Sequence, residues 1–143
     1  MIKYFSEDIK FDLKGKTANN KWLRFVVGAE AGKMGDVNII FCSDTYLLDI
    51  NMRYLSHDYF TDIITFDYCE GKVVSGDLFI SIDSVRDNAA FYKVDFITEL
   101  RRVMVHGVLH LLGYDDHTPE EQKTMRGKED YYLDMRKSIT GED

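Results

Sequence analysis

The sequence predicts an α+β fold: a single layer of about four mixed strands, with a histidine-bearing helix packed centrally against it. Three observations lead there. Short stretches rich in β-branched and aromatic residues alternate with longer stretches at helical spacing. Two of the strand-like stretches are joined by only Glu70-Gly71-Lys72, a connection short enough to make them an antiparallel hairpin. The segment from about Asp95 to Leu112 is apolar over more than half its circumference, which marks a buried helix rather than a surface one.

Taken in order, residues 2–13 alternate loosely and are expected to form a first strand. Thr17 to Ala31 reads as a helix, with Trp22, Leu23, Val26, Val27 and Ala29 at helical spacing. Thr17 or Asn19 serves as its cap, and Gly32 follows its end. Asp36–Ser43 is a short β-branched strand. Ser43 or Asp44 then caps a helix whose stripe is Leu47, Ile50, Asn51 and Tyr54. A polar and aromatic loop, Ser56–Phe60, leads to the hairpin strands Thr61–Tyr68 and Val73–Ile82. A short helix near Asp83–Phe91 precedes the long apolar one. Thr118-Pro119-Glu120-Glu121 has the pattern of a capping box with proline at the first helical position. The last helix carries Met125, Tyr132, Leu133 and Met135, and its charged tail is expected to fray.

One proline, no repeat and no linker-like stretch point to one domain over residues 1–143, long enough to bury a real core. The balance of 45% hydrophobic and 30% charged residues is that of a water-soluble globular chain. The first residues turn charged too early for a signal peptide, and no apolar run approaches the roughly 20 residues of a membrane span. Cys42 and Cys69 form no metal-knuckle or disulfide pattern and are expected to be reduced. A cytoplasmic protein without membrane attachment is therefore expected. The net charge of −7 excludes a general electrostatic grip on nucleic acid. Any RNA-binding role must rest on a local basic patch and on the charge of a bound metal.

The chemistry concentrates in Val105–His117, which holds three of the four histidines. His106 and His110 stand at i and i+4, on one face of the long helix, where two imidazoles can share one ion. Gly113 ends that helix, and the turn Tyr114-Asp115-Asp116-His117 offers a third ligand, either Asp116 or His117. Three protein ligands and one open position are the catalytic form of zinc, so one Zn²⁺ is the expected cofactor. Zinc peptidases place a glutamate base directly after the first histidine. Here that position is Gly107, so the peptidase base is absent. A glycine inside a helix costs about 1 kcal/mol relative to alanine. Close passage of another chain segment, or of substrate, would explain its presence.

The run His106-Gly-Val-Leu-His-Leu-Leu-Gly-Tyr-Asp115 resembles the signature of the YbeY-type endoribonucleases, the bacterial rRNA maturation factors. Asp58, the run Thr61-Asp62-Ile-Ile-Thr-Phe66 and the run Gly76-Asp77-Leu-Phe-Ile-Ser81 are similar to that family's upstream segments. The resemblance is strong over about residues 36–117 and weaker at the N-terminus. It implies a metal-dependent RNase specific for single strands, acting on the 3′ end of small-subunit rRNA and in ribosome quality control. Single-stranded rRNA, and the small ribosomal subunit or its proteins, are the expected partners. The family's usual spacing is His, three residues, His, five residues, His. That spacing puts Asp116 in register as the third ligand, unless a one-residue insertion gives the role to His117. The family's RNA-contacting arginine falls near Leu55 here, with Arg53 two residues away. Arg101 and Arg102, with Lys93 and Arg86, are candidates for a positive rim. Asp115, Asp58, or whichever of Asp116 and His117 is unbound, are the candidates to move a proton. His57, beside Asp58 in the loop 56–60, is either a further group within reach of the pocket or an ordinary surface histidine. Two other readings are a metal hydrolase of a different small substrate and a non-catalytic ribosome assembly factor whose metal is structural.

Overall fold

The computed structural model describes residues 1–57 and 60–143, so Asp58 lies outside the described residues. Nine elements follow in order: β1 (Ile2–Ser6), α1 (Lys16–Ala29), β2 (Lys33–Cys42), α2 (Asp44–Leu55), β3 (Ile63–Asp67), β4 (Val73–Ser81), α3 (Ile82–Tyr92), α4 (Phe96–Leu111) and α5 (Pro119–Thr140). The four strands make one mixed sheet in the order β1-β2-β4-β3, an α+β fold. β1, β2 and β4 run parallel, and β3 closes the hairpin antiparallel to β4 at the edge.

Alternation along the strands divides the interior in two. Val37, Ile39 and Phe41 of β2 and Leu78 and Ile80 of β4 point to the face covered by α1 and α4, where α5 packs over both helices. That face holds the main core, including Trp22, Leu100, Met104 and Leu109, all essentially inaccessible to water. Each such side chain contributes roughly 1.5–3 kcal/mol by leaving water. Cys42 and Ile64 point the other way and meet Leu47 and Ile50 of α2 in a smaller cluster. α4 therefore lies centrally, with Val103, Met104, Val105, Val108, Leu109 and Leu111 all buried.

Several boundaries differ from those expected. β1 stops at Ser6 rather than residue 13, because its ladder with β2 spans Ile2–Ser6 and ends with the Glu7 N–H on the Phe41 carbonyl. The chain then leaves the sheet, and Asp8 accepts the backbone N–H of Ser43 at 2.9 Å. β2 begins at Lys33, since Lys33 and Met34 pair with Val73 and Val74 ahead of an irregularity before Val37. The cap of α1 is Gly15, not Thr17 or Asn19; Asn19 is buried and is used elsewhere. Ser43 caps α2, and Thr118 and Glu121 form both halves of the capping box of α5. α5 does not fray: it runs to Thr140, where Gly141 closes it in a left-handed conformation. Its polar face is anchored. Arg136 donates from Nη2 to Asn19 Oδ1 at 2.8 Å, and Trp22 donates to the Tyr132 carbonyl at 2.8 Å. Cys42 and Cys69 are both free thiols. No helix among the described residues is long and apolar enough to cross a membrane.

Candidate metal centre

α4 presents His106 and His110 one turn apart, with ring centroids 4.6 Å apart and planes at 81°. Their Nε2 atoms stand 3.0 Å from each other. The helix ends at Leu111, and Gly113 takes φ 102°, a conformation open to glycine at little steric cost. The backbone N–H of Tyr114 then bonds back to the Leu109 carbonyl. This folded-back turn carries Asp116 over the histidines. Its Oδ2 lies 3.3 Å from His106 Nε2 and 3.5 Å from His110 Nε2. The Tyr114 hydroxyl, held by the Glu30 carboxylate, pins the same turn to the end of α1. Lys128 and the Tyr132 hydroxyl of α5 share that carboxylate.

α5 adds a residue that the sequence did not announce. Glu129 is 4% exposed and accepts from His106 Nδ1 at 2.6 Å. It also accepts from Arg102 Nη1 at 3.0 Å, while Arg102 Nη2 reaches Asp130 at 2.6 Å. Burial opposes protonation of His106, but the hydrogen bond and charge of Glu129, with Asp116 and Asp62 adding, raise its pKa above the ordinary value. Burial and the neighbouring His106 lower that of His110.

The donor set fits a cation. With Nδ1–H of His106 committed to Glu129, its Nε2 carries a lone pair. That lone pair, the His110 Nε2 and a carboxylate oxygen converge on one point, an arrangement that only a proton or a cation relieves. Ligand atoms bound tetrahedrally at about 2.0–2.1 Å stand about 3.3–3.4 Å apart, close to the separations found here. His106, His110 and Asp116 are thus a group that could hold a metal ion.

Two grooves meet at this triangle. One, of about 430 Å³, runs along β3 and the end of α2 and includes His57, Thr61 and His117. The other, of about 290 Å³, lies between α3, α4 and α5. Asp62 lines both. Its pKa is raised by burial, against the pull of His106 and a 3.2 Å hydrogen bond from Asn88. His117 is exposed on the rim and is not part of the triangle. Asp115 is exposed and lines neither groove. Arg102 faces the second groove with its guanidinium already paired. Arg101 points to a different cavity, where it donates to the Asp143 carbonyl. Arg53 is exposed and paired with Asp49. Gly107 is explained by the sheet: a Cβ there would sit 2.8 Å from Ile63 Cδ1 and 3.0 Å from both Leu78 methyl carbons. Another part of the chain, not substrate, occupies the space. Glu129 had one sequence signal, since Met125, Glu129, Tyr132 and Arg136 share a helical stripe that would otherwise be taken for plain core.

Comparison with known proteins agrees over nearly the whole chain. The sequence model of the family described as Endoribonuclease YbeY matches residues 1–137. A protein of Parabacteroides distasonis named Endoribonuclease YbeY is 47% identical over 92% of this chain and 93% of its own length. One of the same name from Amoebophilus asiaticus is 48% identical over 92% and 90%. A solution structure of a Thermotoga maritima protein superposes with a TM-score of 0.67 at 29% identity, covering 96% of this chain and 90% of that one. The chain therefore belongs to the endoribonuclease YbeY family.

Proposed function

We propose that the protein is a zinc-dependent endoribonuclease that cuts single-stranded RNA. In this reading it matures the 3′ end of small-subunit rRNA and serves ribosome quality control, in the cytoplasm, as one domain over residues 1–143. The observation that carries the reading is the His106–His110–Asp116 triangle, open to two grooves and backed by Glu129. One Zn²⁺ would be held by His106 Nε2, His110 Nε2 and Asp116. The separations of these atoms and their nitrogen and oxygen chemistry suit that ion. When bound, the metal supplies Lewis acidity toward a phosphoryl oxygen and lowers the pKa of water toward about 7.

The chain's own residues do the rest. Glu129 holds the tautomer and angle of His106. Asp62, which lines both grooves next to the triangle, is our candidate to protonate the leaving oxygen as the P–O bond breaks. His117, exposed on the rim, is left as a contact there, and Asp115, which lines neither groove, is given no part in the step. Docking to basic small-subunit ribosomal proteins suits the net charge of −7.

The test measures metal and cleavage together. His106→Ala with His110→Ala should abolish zinc binding to the purified protein, and Asp116→Ala should weaken it more than His117→Ala. Metal-loaded protein should cut single-stranded RNA, and His110→Ala should cut at least a hundredfold more slowly, about the loss of one essential group. Equal cleavage by both would defeat the proposal.

A further inference from the structure

The second groove contains a buried acid that the chemistry above leaves idle. Glu99, in the first turn of α4, is 6% exposed and lines the groove beside His106 and Asp116. Among the described residues no hydrogen bond or ion pair reaches its carboxylate. Burial raises its pKa above the usual carboxylate value, with the charges of Asp62 and Glu129 adding and those of Arg102 and Arg126 opposing, and its oxygens remain open to the groove. It is not a leg of a second cation site, because its oxygens do not join any group of converging metal ligands among the described residues.

The groove's mouth has a different character. Tyr92, at the end of α3, is 53% exposed, and the Arg126 guanidinium of α5 lies 5.7 Å from its ring centroid. The ion pair of Arg126 with Glu129 is stretched to 3.9 Å, and its side chain is more than half exposed. Because Arg126 already lies over one face of the ring, the half-exposed Tyr92 can stack an unpaired base only on its other face, with the guanidinium behind it as a cation for the adjoining phosphate. The space, about 290 Å³, lies just under the roughly 300–1,000 Å³ of drug-sized sites and suits one planar group.

We propose that this groove is a guanine-recognition subsite next to the cleavage point, in which Tyr92 stacks on the base, Glu99 accepts from its N1–H and N2–H, and Arg126 faces the phosphate. Guanine is favoured by its hydrogen-bond pattern. Its Watson–Crick edge presents two adjacent donors, which match the two oxygens of a carboxylate. Adenine and cytosine present one amino donor beside a ring acceptor, and uracil one donor between two carbonyls. Sequence-specific reading of single-stranded RNA uses that edge. The inference rests on single-stranded RNA being the substrate.

The experiment compares binding of fluorescent uridine octamers carrying one central guanosine, inosine, adenosine or cytidine to the full-length protein in chelator. Cleavage of the same octamers is followed in parallel with zinc added. Inosine lacks the 2-amino group and so loses one of the two donors. The guanosine octamer should bind about tenfold more tightly than the inosine one, the discrimination of a two-bond contact. Glu99→Gln, which keeps the size and removes the charge, should bring that ratio close to one. Its thermal midpoint should be no lower than wild type, which separates the effect from misfolding. Tyr92→Ala should weaken all four octamers by about tenfold. Equal binding of guanosine and inosine, retention of the preference by Glu99→Gln, or no measurable binding of any octamer overturns the subsite. Guanine-selective binding without cleavage would instead defeat the nuclease reading and leave the subsite standing.

Discussion

Glu129 is the residue whose removal should be felt most without touching the metal triangle. It bonds the far nitrogen of His106, so Glu129→Gln keeps the side chain's shape but weakens its hold on the ring. Loss of such an outer partner typically lowers metal affinity by about 10–100-fold. Competition with a zinc-binding dye should read that drop, while circular dichroism stays that of wild type. Unaltered affinity would mean that His106 is held by packing alone. The contrast with the ligands explains what sequence reading can reach at this scale. His106, His110 and Asp116 lie in one short stretch, where helix geometry and a single glycine turn determine their meeting. Glu129 and Asp62 come from outside that stretch, one on α5 and one just before β3, whereas Glu99 stands on α4 itself, two turns before His106. Nothing local in the sequence says that an acid on α5 or before β3 ends beside His106. Arg101 and Arg102 make the same point: adjacent in sequence, they differ by about 100° around α4 and enter different cavities.

Among the elements, α4 depends on the closeness of its approach to the sheet. Ile63 of β3 and Leu78 of β4 fill the space that a side chain at Gly107 would need. Alanine there gains about 1 kcal/mol of helix propensity, which offsets part of the crowding. Valine gains less and adds two methyl groups to the crowding, so Gly107→Val should lower stability by about 1–3 kcal/mol in a denaturant titration. A midpoint equal to wild type would show that the β3 edge yields freely. Element types were legible because periods of two and 3.6 residues are strong along β2, β4, α1 and α4. The capping box of α5 and the β3–β4 hairpin were legible from local chemistry. The parallel pairing of β1 with β2 was not, since it depends on burial against distant helices. The length of α5 was missed for a related reason. Its charged residues look solvated in sequence, yet Glu129 and Arg136 are buried by partners on α4 and α1.

At the scale of the whole molecule, charge sets the terms of RNA binding. The net charge is −7, and Arg53 and Arg102 are committed to acidic neighbours. Few cations remain for phosphates near the grooves. With about two phosphates neutralised, affinity for single-stranded RNA should fall only about sevenfold between roughly 50 and 200 mM salt. A loss of a thousandfold, measured by fluorescence anisotropy, would reveal a basic path outside these grooves. The anchoring of α5 has an optical consequence as well. Trp22 is the single tryptophan, fully buried, with its indole N–H on the Tyr132 carbonyl and the Arg136 guanidinium 5.8 Å from its ring. Its fluorescence therefore reports on the main core, the docking of α5 on α1 included. Emission shifts to the red when that seam opens, and neither groove contains the chromophore, so RNA bound in them does not touch it.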